Sequence, residues 1–230
     1  MITLPEPDWL DEAYSNPIAR GDVGLLRRCQ MLAKFTRIVV RTEGLRHGRF
    51  LDWAGGYGLL TGLLRDAGLD FNHWDPYCKN LFAVGREGKL DDNYDLVTAY
   101  EVLEHLPRPA EALADVANCS DLLLFTTVLL PDPPPSPGEW WYFAAESGQH
   151  VTFYTRQSLE LLGRRLGYQL LSNGQQLHLF HRARVNPLTR IALSNAVLTL
   201  KTAVRSLRLS VGGQQRAAQN RQSQLGRDRQ

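Results

Sequence analysis

The sequence predicts a mixed α/β domain: a mostly parallel sheet with helices on both faces, closed by a C-terminal antiparallel hairpin. Three observations carry that expectation. From about residue 48, short apolar runs alternate with segments of helical periodicity, the pattern of βαβ units. Leu122 to Val128 reads as a core strand buried on both faces, as strands of parallel sheets are. Ser172-Asn-Gly-Gln175 stands between the apolar runs Tyr168 to Leu171 and Leu177 to Phe180, and Asn-Gly in that setting is a strong hairpin signal.

The elements follow in chain order. Arg49 to Trp53 is a short strand that runs into a glycine cluster, after which Leu59, Leu60, Leu63 and Leu64 recur at helical spacing until Gly68 stops them. Phe71 to Trp74 makes the second strand and ends at Asp75-Pro76; Leu81 to Val84 reads as a weak third; Asp95 to Ala99 is a fourth. Pro109 to Ala117 is helical with proline near its start. Pro131 to Gly138 is too rich in proline for regular structure and reads as a stiff loop. Thr155 to Leu166 is an amphipathic helix with Thr155 as N-cap and Gly167 as its stop.

Composition narrows the class. The chain has 230 residues, 43% apolar and 22% charged, which fits one domain with a small appendage and excludes collagen-like, disulfide-scaffold and wholly disordered proteins. Charge is uneven: residues 1–181 carry 16 basic and 23 acidic side chains, a net of −7, whereas residues 182–230 carry 10 basic against Asp228 alone, a net of +9. An acidic body with a basic tail is not a nucleic-acid-binding body. The acidic, proline-bearing start does not read as a signal peptide, and Leu122 to Leu130 is far short of the roughly 20 residues of a bilayer span. Cys29, Cys78 and Cys119 are scattered, with no metal-binding or redox spacing. A cytoplasmic protein, with peripheral membrane contact through its tail as the variant reading, is expected.

Asp52-Trp-Ala-Gly-Gly-Tyr-Gly58 lies where the first strand turns into the first helix, the place at which open α/β sheets bind ligands. Asp75 ends the second strand, 19 residues after Gly56, a spacing suited to accepting hydrogen bonds from two ribose hydroxyls. A nicotinamide dehydrogenase is disfavoured, because Gly56-Tyr-Gly58-Leu-Leu-Thr61 lacks the third glycine of that fingerprint.

The glycine segment resembles motif I of the class I S-adenosylmethionine (SAM) dependent methyltransferases, usually Asp-x-Gly-x-Gly-x-Gly, with Ala54 standing at the first glycine. Tyr94 to Leu106 (YDLVTAYEVLEHL) is similar to that family's fourth-strand segment, and the terminal hairpin to its reversed last strand; the likeness covers about residues 48–181. The segments at 138–142 and 148–154 resemble small-molecule members related to the ubiquinone-biosynthesis O-methyltransferases. The resemblance implies a Rossmann-like, seven-stranded sheet at 48–182, an N-terminal helical lid or cap at 1–47, and SAM as cofactor. It implies that Asp52, Ala54, Gly55, Gly56 and Gly58 line the methionine side, that Asp75 holds the ribose with Pro76 and Tyr77 beside the adenine, and that Tyr100 and Glu101 stand near the amino acid end.

Methyl transfer to a hydroxyl or an acidic carbon needs a base, and histidine is the natural one near neutral pH. His150 lies in Gly148-Gln-His-Val-Thr-Phe-Tyr154, between the fifth strand and the next helix, where the fold builds an acceptor pocket. The other reading of His150 is a loop-ordering hydrogen bond. Trp9, Tyr14, Trp141, Tyr142 and Tyr154 are the expected wall for a small-molecule acceptor. Glu101, Glu104 and His105 would share one face if their turn were helical, a set able to ligate Mg²⁺ or Zn²⁺, yet no metal is assigned. Leu193, Val197, Leu200, Val204, Leu207 and Val211 form the apolar stripe of a basic helix over 183–212, followed by a disordered end at 213–230. That helix either packs on its own domain or docks a homodimer mate, a membrane surface or a protein partner. Two functions compete: a SAM-dependent enzyme acting on a small metabolite, and a SAM-binding scaffold with little catalysis.

Overall fold

A computed structural model describes residues 1–3, 7, 24–136, 138–144 and 148–194. Trp9, Tyr14 and the tail from residue 195 onward lie outside the described residues. Among the described residues there are eight strands: β1 (Ile2–Thr3), β2 (Arg49–Trp53), β3 (Asp70–Trp74), β4 (Leu96–Ala99), β5 (Leu122–Thr126), β6 (Thr152–Phe153), β7 (Gln169–Ser172) and β8 (Leu177–His181). The helices are α1 (Leu25–Thr42), α2 (Leu59–Asp66), α3 (Pro109–Ala112), α4 (Ala114–Cys119) and α5 (Arg156–Arg165).

The main sheet has six strands in the order β3-β2-β4-β5-β8-β7. The first four are parallel; β8 runs antiparallel to β5 and pairs with β7 as a hairpin. The expected seventh strand is absent among the described residues. Leu81 to Val84 runs through a bend into a turn, and Leu81, Phe82 and Val84 are exposed, so an apolar run alone did not make a strand there. A single parallel bridge, His73 to Glu87, is what flanks the β3 edge.

Side chains alternate along each strand and feed two cores. Leu51, Trp53, Val97, Ala99, Leu123 and Phe125 pack with α3, α4 and α5 on one face. Phe50, Leu96 and Leu124 pack with α1 and α2 on the other. Within the segment expected to cap the site, residues 25–42 form α1, which buries Leu32, Ala33, Phe35, Val39 and Val40 against the sheet. A third, smaller core of Leu130, Trp140, Tyr142 and Phe153 sits under the loop after β5. Thr155 caps α5 in a reciprocal capping box with Ser158.

Residues 187–194 are helical, with Asn186 accepting from the Leu188 amide. Thr189 and Leu193 are buried, and the Thr189 hydroxyl meets that of Thr42 at 2.6 Å. This first part of the tail therefore packs on its own domain. No helix among the described residues is long and apolar enough to cross a membrane.

Candidate cofactor and acceptor site

The strand order reverses between β2 and β4, so their carboxyl ends open a crevice at the switch point. The glycine loop after β2 forms its floor and is held on several sides. Below it, Asp52 is buried at 2% exposure, and its two oxygens accept from Thr98 at 2.7 Å and Thr61 at 3.0 Å. Burial pushes its pKa up to about 6 against the lowering effect of the two hydroxyls. Asp52 thus shapes the loop from underneath, enclosed by two threonines.

From the side, β3 grips Gly56 by both backbone groups. His73 Nε2 donates to the Gly56 carbonyl at 2.8 Å, and the Gly56 amide donates to Asp75 at 2.8 Å. The Gly55 amide reaches the Trp74 carbonyl at 3.3 Å. Gly56 has φ +59°, and a Cβ there would meet nothing within 4 Å, so the loop offers bare backbone to open space. A cradle of that kind fits a bound cofactor. Gly58 is required for a different reason: a Cβ would stand 2.6 Å from Asn80 Oδ1, in the loop that follows β3.

Asp75 does more than wait for a ligand. Besides Gly56, it accepts from the Tyr77 and Cys78 amides at 2.8 and 2.7 Å. A carboxylate offers about four lone-pair positions, so three are used and one remains. With the loop in this conformation Asp75 keeps one lone-pair position for a further donor. Pro76 is exposed, and Tyr77 is 71% exposed. Ala54 has φ +55°, a left-handed conformation suited to the glycine of the motif, and it is partly buried against the core.

The end of β4 carries the second strained residue. Glu101 has φ +56°, its amide donates to Thr126 Oγ1 at 2.8 Å, and its carboxylate pairs with Arg28 Nε of α1 at 3.2 Å. Tyr100 shares a 2.7 Å hydrogen bond with Thr36, and burial raises its pKa. Arg28 and His73 were not singled out as site residues by the sequence. Their contacts span 73 and 17 positions, and only the fold brings those positions together.

The helical face expected to gather Glu101, Glu104 and His105 does not form. Only Leu103–His105 make a 3-10 turn, and Glu101 leaves it toward Arg28. His150 takes the vacated place. Its ring stands edge-on to that of His105 with centroids 4.9 Å apart, and Glu104, His105 and His150 each bring a ligand atom within 4.8 Å of the others.

Both imidazoles are oriented by backbone carbonyls, which accept only. His150 Nδ1 donates to Tyr142 O at 2.7 Å, and His105 Nδ1 donates to Gln149 O at 3.0 Å. Burial lowers both pKa values, that of His105 to about 3, with His150 contributing next. For His150 the Tyr142 carbonyl and the Glu101 charge work in the opposite direction. Burial raises Glu104 to about 7, opposed by the Tyr142 and Thr127 hydroxyls.

The expected acceptor wall divides. Tyr154 is fully buried, and its hydroxyl donates to Leu103 O at 2.9 Å, so it braces the 103–105 turn. Tyr142 is buried against His150, with ring centroids 4.7 Å apart. Trp141 is 42% exposed and lines a different, open groove of about 990 Å³, shared with Asp132, Arg156, Gln157 and Gln175.

Comparison with known proteins places the fold. A family model described as a methyltransferase domain matches residues 26–173. Its start falls in α1, which accords with that helix belonging to the core. The fold is shared with an O-methyltransferase family protein from Burkholderia thailandensis (18% identity, TM-score 0.53, 71% of this chain and 58% of that one). It is shared as well with the mitomycin 7-O-methyltransferase MmcR (16% identity, TM-score 0.53, 77% of this chain and 61% of that one). The chain thus spans about three-fifths of the length of these structures. No curated protein matches the sequence significantly.

Proposed function

Because the chain belongs to the methyltransferase-domain family, we propose that it moves a methyl group from SAM to an oxygen or carbon of a small metabolite. The acceptor is a sugar, a lipid-linked molecule or a quinone-like ring. SAM supplies an electrophilic methyl on a sulfonium, and transfer is an in-line displacement that needs reactants held close and collinear. The backbone at Gly55 and Gly56 lines the cofactor, Asp75 accepts from one ribose hydroxyl, and Glu101 and Tyr100 meet the amino acid end. Residues ahead of α1, with Trp9 and Tyr14, serve as the lid. The tail beyond residue 195 offers its apolar stripe to a membrane surface or a second copy.

One observation carries the acceptor half. The Tyr142 carbonyl holds His150 in its Nδ1–H tautomer, and burial lowers its pKa, so the imidazole is neutral near neutral pH. A neutral ring presents its Nε2 lone pair to an acceptor proton. Such a group matters for hydroxyls and acidic carbons, which must lose a proton to react.

The test is to incubate the protein with SAM carrying a labelled methyl and a panel of hydroxylated small molecules. Label is expected in a product with the native chain and is expected to fall by about 10²–10⁴-fold with His150→Ala, while SAM binding persists. Full transfer by that variant would remove His150 from the reaction.

A further inference from the structure

We propose that the outer faces of α1 and of helix 187–194, continued by the basic tail, form a docking surface for a membrane rich in anionic lipid. Both helices cover the same side of the sheet: Val39 and Val40 of α1 and Leu193 share one core with Phe50, Leu96 and Leu124. They are joined where the first ends and the second begins. The hydroxyls of Thr42 and Thr189 meet at 2.6 Å, and the Asn186 amide donates to the Glu43 carboxylate at 3.1 Å. Their outer faces therefore point away from the sheet together.

Those faces combine positive charge with exposed apolar side chains. Arg27, Lys34, Ile38 and Arg41 recur at helical spacing on the exposed side of α1, with Arg37 beside them. On the second helix Leu188 and Ile191, 59% and 56% exposed, flank the exposed Arg190. Helix α1 contains no acidic residue, and neither does the segment 182–194. The patch is thus positive on a body whose residues 1–181 are net negative. Single exposed leucines need no explanation, but apolar side chains set among arginines on two adjoining helices do.

Charge decides the occupant. A second copy meeting this face with the same face across a two-fold axis would oppose like charges. Leucine and isoleucine interspersed with arginine is the composition of helices that lie in a bilayer interface, their apolar side chains entering the acyl boundary while Lys and Arg meet lipid phosphates. The chain beyond the described residues carries the same chemistry onward from the same place. It leaves the second helix at residue 195 and holds seven basic residues against Asp228, with Val197, Leu200, Val204, Leu207 and Val211 among them in sequence. The docking surface rests on the reading of the tail as a contact segment, commits it to lipid and extends it onto α1.

The test is co-sedimentation of the full-length protein with vesicles of phosphatidylcholine containing about one-third phosphatidylglycerol, and with vesicles of phosphatidylcholine alone. Binding is expected to be at least tenfold tighter to the anionic vesicles, and to weaken at least tenfold between about 0.1 and 0.5 M NaCl. The double variants Arg37→Glu/Arg41→Glu and Leu188→Asp/Ile191→Asp are each expected to weaken it at least tenfold, with unfolding midpoints and SAM affinity unchanged. Arg37→Lys/Arg41→Lys is expected to bind as the native chain does. No binding, equal binding to the two vesicle types, or native-like binding by either acidic variant overturns the surface. A native chain that self-associates while Arg37→Glu/Arg41→Glu is monomeric would overturn it in favour of a second copy. SAM binding without vesicle binding refutes the docking surface alone; vesicle binding without SAM binding refutes the methyl-transfer reading alone.

Discussion

Asp75→Asn isolates what the acidic residue at the end of β3 contributes. In the native protein its carboxylate accepts from the Gly56, Tyr77 and Cys78 amides at 2.7 to 2.8 Å. Asparagine keeps one oxygen for Tyr77 and Cys78, but turns an amide NH₂ toward the Gly56 N–H, donor against donor. A hydrogen bond to a charged group contributes about 1.5–3 kcal/mol, a neutral one about 0.5–1.5 kcal/mol. Because Asp75 is half-buried and water replaces part of the loss, the expected cost in stability is about 2 kcal/mol. The single remaining lone-pair position also loses its charge, which weakens a ribose hydroxyl bond and releases the loop that lines the cofactor. SAM affinity is expected to fall roughly 10- to 100-fold, equivalent to about 1.4–2.8 kcal/mol. Urea unfolding measures the first quantity and calorimetric titration the second. A variant that is destabilised but binds SAM within twofold of the native protein would show Asp75 to be a loop pin with no ribose contact.

Three other perturbations follow from particular contacts. Burial raises the Asp52 pKa to about 6 from 3.8, so its stabilising contribution is present below pH 4 and is lost as pH rises through about 6, roughly 3 kcal/mol in all. Asp52→Asn is therefore expected to match the native chain at pH 4 and to exceed it by about 1–3 kcal/mol at pH 8 in urea unfolding, and equal destabilisation at both pH values would contradict this. Ala54→Gly relieves a left-handed backbone and is expected to raise stability by about 0.5–1 kcal/mol, or a few degrees in Tm, without changing SAM affinity; a lower Tm would mean that the methyl's packing outweighs the strain. Tyr154→Phe removes the hydroxyl that holds Leu103 O, which is expected to cost about 1 kcal/mol and to lower methyl transfer more than SAM binding. Unchanged transfer would show that the 103–105 turn does not depend on that brace.

Local chemistry made much of the sheet legible. Arg49 to Trp53, Leu122 to Thr126 and the terminal hairpin carry their own patterns and boundaries. The glycine loop was readable for the same reason, since close backbone approach leaves few residue choices. The 81–84 run misled because apolar content signals burial only when a neighbouring strand or helix covers it. Helix α1 starts at Gly24 with no side-chain cap, and its arginines and lysine interrupt the stripe that it buries. The acceptor-side cluster was hidden more deeply. His105 and His150 were visible as candidates, but their meeting depends on hydrogen bonds between residues 103–106 and 151–154 that no local pattern encodes. Arg28 beside Glu101 is of the same kind, a contact made by packing a helix on a distant strand end.

Calorimetric titration of the full-length protein with SAM, with S-adenosylhomocysteine, and with NAD as a control tests the central claim most directly. One-site binding of both SAM-type ligands, no binding of NAD, and loss of both signals in Asp75→Ala is the expected result. A chain that binds neither SAM nor S-adenosylhomocysteine while remaining folded would contradict the account.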